Sequence, residues 1–189
     1  KRLEASSWHE VEALRSDARV QRSEGLMLKK MDAPYGVGRK KGIWYKHKVE
    51  PLQVDAVLTY AMRGHGRRSN LYTDYTFALW QENEDGERYL VTFAKAYSGL
   101  TDAEIKALDQ WIKKNTLQRF GPVREVTPHH VFEISFEGIS KSSRHKSGFA
   151  TRFPRISRWR EDKNINEANS IEDLNTLLLE LNSQNNATD

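Results

Sequence analysis

The chain has 189 residues, 38% of them hydrophobic, and a mean hydropathy of −0.76, which allows one domain or one and a half with a modest core. No apolar run approaches the ~20 residues of a membrane span, no signal-peptide-like stretch opens the sequence, and the lack of Cys removes disulfides, thiolate metal sites and a Cys nucleophile together. The net charge of +4 is unevenly placed: residues 164–189 hold five acids (Glu167, Glu172, Asp173, Glu180, Asp189) and no Lys or Arg, which leaves +9 on residues 1–163 and favours a polyanionic partner through counterion release.

Ser7 and Glu10 have the Ser-x-x-Glu spacing of a capping box, and Trp8, Val11 and Leu14 share one face, predicting a first helix with a core-facing stripe. β-prone runs follow at 24–29 and 43–48. One helix and two strands cannot bury a core of their own, so residues 1–50 read as the end of a larger sheet domain. Pro51 marks the junction. Beyond it, β-prone runs at 53–62, 75–81 and 89–97 precede a second helix, capped by Thr101 with Glu104 and striped by Ile105, Leu108, Trp111 and Ile112. In the first run Val54, Ala56, Leu58, Tyr60 and Met62 alternate with a second face, as a barrel strand should. Asn83-Glu84-Asp85-Gly86 reads as a hairpin turn, with Asp-Gly supplying positive φ. Runs at 123–127, 131–137 and 147–152 come next. A third helix starts at Ser170, with Asp173 in the box position and Leu174, Leu177, Leu178 and Leu181 at helical spacing. Strand, strand, strand, helix, strand, strand is the order of an OB-fold barrel, a frequent nucleic-acid binder. The expected fold is therefore α+β, mainly β: a five-stranded OB-fold barrel over 51–181 with a helix after strand three, preceded by the last helix and strands of a sheet domain over 1–50. A polar tail, 182–189, is expected to fray.

Three strings carry chemistry. Glu24-Gly25-Leu26-Met27-Leu28-Lys29 is a β-run opened by a carboxylate and a glycine; an ordinary strand with a solvated Glu at its mouth reads the same way. In Trp44-Tyr45-Lys46-His47-Lys48, the two lysines project from one face of a strand, where they repel unless an anion sits between them. A solvent-facing lysine pair on an edge strand is the plain alternative. From Arg152 to Lys163 stand five cations, two acids (Glu161, Asp162), Phe153 and Trp159. An edge strand blunted with charge would account for scattered Lys. It does not account for Arg at 152, 155, 158 and 160 with Pro154 fixing the backbone between two of them, whereas planar, multi-point recognition of phosphate does. Six His without Cys show no zinc-like spacing, and His129 and His130 would face opposite ways if extended.

Taken in order, these strings resemble motifs IV, V and VI of the covalent nucleotidyltransferases in the spelling of the ATP-dependent DNA ligases, the small bacterial ones in particular. Family versions read Glu-Gly-hydrophobic-Met-hydrophobic-Lys, Trp-x-Lys-x-Lys, and Arg-Phe-Pro-Arg with Arg-x-Asp-Lys. Tyr35-Gly36-Val37-Gly38-Arg39-Lys40-Lys41 resembles the family's Tyr-x-x-Gly-x-Arg connection, and Lys95 to Gly99 its middle OB strand; the likeness runs from about residue 8 to 181. It implies that residues 1–50 are a remnant of the adenylation (nucleotidyltransferase) domain. It also implies nick sealing through enzyme–AMP and DNA–adenylate intermediates, with ATP and Mg²⁺ as cofactors and nicked double-stranded DNA as partner, in the cytoplasm if bacterial.

Residue by residue, the resemblance implies that Lys46 and Lys48 hold the AMP phosphate, Met27 packs on the adenine and Glu24 helps hold Mg²⁺. It implies that Arg160, Asp162 and Lys163 close over the β- and γ-phosphates. Arg39, Lys40, Lys41, Arg152, Arg155 and Arg158 would grip DNA. The family's Lys-x-Asp-Gly nucleophile string has no match here, since Lys30-Met31-Asp32-Ala33 lacks the glycine. The chain is thus expected to act with the missing N-terminal part of the adenylation domain and not to self-adenylate alone. Two alternatives stay open: a capping-type guanylyltransferase, which shares the Arg-x-Asp-Lys ending, and a non-catalytic DNA-binding OB module.

Overall fold

A computed structural model describes residues 2–21, 23–38 and 40–186. They divide into two compact units, one from the residues up to Glu50 together with those from Leu179 on, the other from Pro51 to Leu178.

In the first unit, helix α1 (Trp8–Ser16) is followed by strands β1 (Gly25–Lys29) and β2 (Trp44–Lys48). Ser7 caps α1 by accepting the Glu10 N–H at 3.2 Å, but the Glu10 carboxylate turns to the Ser6 N–H and hydroxyl, so the expected box is half made. The expected core stripe is not buried either: Trp8 is 76% exposed, and in residues 2–50 Ala18 is the one buried hydrophobic residue among those described. Trp8, Val11 and Leu14 instead line an open groove of about 1070 Å³ with Leu26, Met27 and Leu28. Apolar stripes need a facing layer, and three short elements do not supply one.

The second unit holds β3 (Leu52–Arg63), β4 (Tyr72–Glu82), β5 (Arg88–Ala96), α2 (Asp102–Lys114), β6 (Thr116–Phe120), β7 (Val123–Val126), β8 (Val131–Phe136), β9 (Gly138–Lys141), β10 (Phe149–Arg152), β11 (Arg155–Trp159) and the start of α3 (Ile171–Asn186). Residues 182–186, expected to fray, continue that helix. The sheet runs β11-β8-β3-β4-β5, all antiparallel. Its two ends meet where the Ile156 N–H of β11 donates to the Ser98 carbonyl just past β5, at 2.9 Å. This is the OB-fold barrel, with α2 between its third and fourth strands. The β6–β7 and β9–β10 hairpins are additions. Gly99 makes the closure possible: its φ is +114°, and a Cβ there would lie 1.7 Å from the Ile156 carbonyl oxygen.

Phe77, Phe93, Phe132, Phe136 and Phe149 fill the interior with Leu58, Leu79, Leu108 and Ile112. Phe77 and Phe132 meet edge to face at 5.4 Å, Phe93 and Phe136 at 5.8 Å, the preferred aromatic geometry. α2 delivers Leu108 and Ile112 to this core through a complete Thr101–Glu104 capping box. Its Trp111 receives both His129 and His130, with ring centroids 6.0 and 4.4 Å away. The expected opposite facing of the two imidazoles does not occur, because this stretch precedes β8 and is not itself strand.

β3 departs from simple alternation: Val54 through Thr59 are all buried. The second face is covered because the chain after β11 folds over it. Val57, Val131 and Ala168 form a second apolar cluster with Trp80, Leu90 and Ile165, and the Trp80 indole N–H donates to the Ile165 carbonyl at 2.6 Å. Asp55 lies on that covered face.

Candidate functional site

The first unit presents one chemically distinct sheet face. β1 and β2 pair with Met27 opposite Lys46 and Gly25 opposite Lys48, so Met27, Lys46 and Lys48 share a side. Gly25 is required there: its φ is +132°, and a Cβ would lie 2.3 Å from the His47 carbonyl oxygen. Its lack of a side chain leaves the Lys48 end of the face open. The Lys48 ammonium meets the Glu24 carboxylate at 3.0 Å. Lys46 is exposed, and Met27 is 46% exposed. On the opposite side His47 bonds Glu12 at 3.0 Å, tying β2 to α1; the Glu12 carboxyl is held down at about 2, first by its hydrogen bond from Arg15 and also by His47. Among the described residues no cluster of three or more His, Asp or Glu could hold a metal ion. Glu24 offers one carboxylate, which fits Mg²⁺ as part of a shell completed by water and substrate phosphate.

The Arg-rich run is strand β11 and its continuation. Sequence reading ended the last strand at 152, because Arg at 155 and 158 leaves no apolar alternation to read; within β11 only Ile156 is buried, and the register with β8 slips between Ile156 and Arg158. Between β10 and β11, Phe153 has φ +51°, the one non-glycine residue with positive φ among those described. A bulky residue there, preceding a proline, is strained by roughly 1–3 kcal/mol. Its ring is 64% exposed, and the Arg152 guanidinium sits 5.1 Å from the ring centre. Arg155 pairs with Glu137 at 3.0 Å and Arg158 with Glu133 at 3.6 Å, so both expected DNA cations already have a carboxylate. Lys40 and Lys41 are exposed, while Arg39 lies outside the described residues.

Arg160, Asp162 and Lys163 come together at the covered face of β3. Asp162 grips the outer edge of the Arg160 guanidinium in two bonds, Nε to Oδ1 at 2.9 Å and Nη2 to Oδ2 at 2.7 Å. The inner nitrogen Nη1 bonds Asp55 at 3.2 Å and lies 3.9 Å from Glu133. Lys163 Nζ donates to Asp55 Oδ2 at 2.7 Å. Hydrogen bonds from Arg160 hold the Asp162 carboxyl down at about 2, and the Arg160 pKa is raised by Asp162 first, then Asp55 and Glu133. Sequence reading missed Asp55 and Glu133. Asp55 is a lone carboxylate within the apolar run Val54–Leu58, but strand alternation places it on the second face, away from Val54, Ala56 and Leu58, so its burial was not signalled.

The barrel and its closure define an OB-fold protein. A family model described as "ATP dependent DNA ligase C terminal region" matches residues 68–163, which begin in the β3–β4 connection and end on Lys163. The chain belongs to the ATP-dependent DNA ligase family through this C-terminal region. Among curated relatives, a "Probable DNA ligase" of Koribacter versatilis is 44% identical over 168 residues, 89% of this chain and 28% of that protein. A "DNA ligase" of Methanocaldococcus jannaschii is 38% identical over 151 residues, 80% and 26% respectively. The chain thus spans about a quarter of the length of these relatives. Of solved structures, Pmar-Lig_PreS3 aligns at a TM-score of 0.60 with 21% identity, over 83% of this chain and 32% of that one. The ligase domain of Mycobacterium tuberculosis LigD aligns at 0.50 with 19% identity, over 82% and 50%. At these identities the likeness concerns the fold.

Proposed function

We propose that this segment serves as the C-terminal part of an ATP-dependent DNA ligase that seals nicks in duplex DNA through enzyme–AMP and DNA–adenylate intermediates. The observation that carries the reading is the shared face of Met27, Lys46 and Lys48 with Glu24 at its end. An OB module that only bound DNA would have no use for it, and the family membership of the barrel supports ligation over guanylyl transfer.

Each step builds negative charge on phosphoryl oxygens, so positioning and electrostatic stabilisation supply most of the catalysis. Lys46 and Lys48 would hold the AMP phosphate through all steps, and Met27 would pack on the adenine. Glu24 would lend a carboxylate to Mg²⁺, whose chemistry is charge neutralisation on phosphate oxygens. Arg160 and Lys163 would hold the pyrophosphate leaving group during lysine adenylation, with Asp162 keeping the arginine's outer edge aligned until phosphate arrives. The nucleophilic lysine would be supplied by adenylation-domain residues other than those of this sequence. DNA would be gripped by Lys40, Lys41, Arg39, Arg152, Arg155 and Arg158, with the exposed Phe153 ring as an apolar contact.

The test compares two assays in the full-length enzyme. Arg160→Ala should slow enzyme–AMP formation while sparing sealing of a nick that already carries AMP; Lys48→Ala should impair both. Equal losses in the two assays for Arg160→Ala would reject the leaving-group role.

A further inference from the structure

Asp55 and Glu133 are directly opposed across the β3–β8 ladder and so share one face of the sheet. Two carboxylates so placed repel, and neither is well solvated: their side chains are 10% and 19% exposed. The arrangement is tolerable because Arg160 and Lys163 fill the space. Arg160 Nη1 reaches both acids, and Lys163 Nζ lies 2.7 Å from Asp55 Oδ2. Backbone bonds lock the parts in place. The Arg160 N–H donates to the Val131 carbonyl at 2.9 Å, and Asn169 clamps Asp55 by accepting its N–H and donating to its carbonyl, both at 2.8 Å.

The two edges of Arg160 therefore differ. The inner nitrogen is held by buried acids of the barrel wall. The outer edge, Nε with Nη2, is held by Asp162, whose side chain is 62% exposed. Asp162 shows that this edge accepts a two-pronged oxyanion in the geometry a phosphate would present.

We propose that Asp55 is a positioning residue for lysine adenylation: by holding Arg160 Nη1 and Lys163 Nζ from behind, it presents the outer guanidinium edge and the ammonium to the pyrophosphate leaving group. The proposal rests on the leaving-group role proposed above for Arg160. Asp55 touches no substrate; it acts through the two cations. Aiming is its contribution, since as an anion it weakens rather than strengthens their pull on phosphate.

That distinction yields a kinetic signature. In the full-length enzyme, Asp55→Asn keeps the side chain's shape but removes the charge that aims both cations. The maximal rate of enzyme–AMP formation should fall by roughly tenfold or more without a rise in KM for ATP, and sealing of a pre-adenylated nick should stay within about threefold. Placed on Arg160→Ala, Asp55→Asn should cause a smaller further loss than it does alone, because one of the two cations through which it acts is gone and only Lys163 remains to be aimed. Asp55→Glu, which keeps the charge but moves it by one methylene, serves if Asp55→Asn does not fold, and should show the same selectivity in milder form. A purely structural role predicts equal losses in both assays, a lowered Tm to match, and full additivity with Arg160→Ala; any of these overturns the proposal. If Arg160→Ala is selective for adenylation and Asp55→Asn is not, the positioning role alone fails. If Arg160→Ala is itself unselective, the parent reading fails and takes this proposal with it.

Discussion

Gly99→Ala tests how the barrel closes. Gly99 sits at φ +114°, and its missing Cβ leaves room for the Ile156 carbonyl, which would otherwise lie 1.7 Å away. Alanine at such a φ costs about 1–3 kcal/mol in backbone strain. The clash adds more, because β11 must retreat, and the 2.9 Å bond from the Ile156 N–H to the Ser98 carbonyl goes with it, worth about 1 kcal/mol. A total near 3 kcal/mol should lower the Tm of this chain by roughly 6–12 °C. Gly121→Ala is the control: φ is +55° and nothing lies within 4 Å of its Cβ position, so only the left-handed penalty of about 1–2 kcal/mol applies. Thermal and urea unfolding of the two variants side by side measure the difference. Equal losses would refute the argument that close approach at Gly99, rather than its backbone angle, sets the closure.

Phe153→Gly should leave stability unchanged or raise it by up to about 1 kcal/mol, since it relieves positive-φ strain on an exposed ring, while affinity for nicked duplex drops several-fold. A loss of stability, or unchanged affinity in a binding titration, would contradict the assignment of that ring to DNA. His130 has its pKa lowered to about 4, first by burial and then by His129, so the folded state binds fewer protons than the unfolded chain between pH 6.5 and about 4. Stability contributed by this neutral imidazole is full above pH 6.5 and is lost as pH falls toward 4, by on the order of 1–2 kcal/mol once the ring's partial exposure is discounted. Comparing Tm against pH for the chain and for His130→Gln isolates that slope. Asp109, 3% exposed, accepts the Tyr72 N–H at 3.2 Å and the Lys113 ammonium at 2.5 Å, so Asp109→Ala should destabilise by about 2–3 kcal/mol, read by urea unfolding.

Local chemistry reached the sequence wherever neighbours in the chain decide structure. The Thr101–Glu104 box, the Asn83–Gly86 turn with Gly86 at φ +82°, the leucine spacing of α3 and the strand before each motif could be read directly, because caps, turns and periodicity act over a few residues. So could the placement of Lys46 and Lys48 on one face, once β2 was taken as a strand; that Met27 shares this face was decided by the register between β1 and β2. The run from Arg152 to Lys163 declared its chemistry but not its shape. Whether its arginines faced solvent or carboxylates depended on Glu137, Glu133 and Asp55, which are remote in sequence and meet it only through the β8–β11 and β3–β8 ladders. The stripe of α1 read as core because a helix cannot tell from its own residues whether a facing layer exists. Asp55 was hidden for the same reason. A strand's alternation says which side chains share a face, but only the return of the chain over β3 decides that both faces are dry, and only then does a lone carboxylate demand two cations.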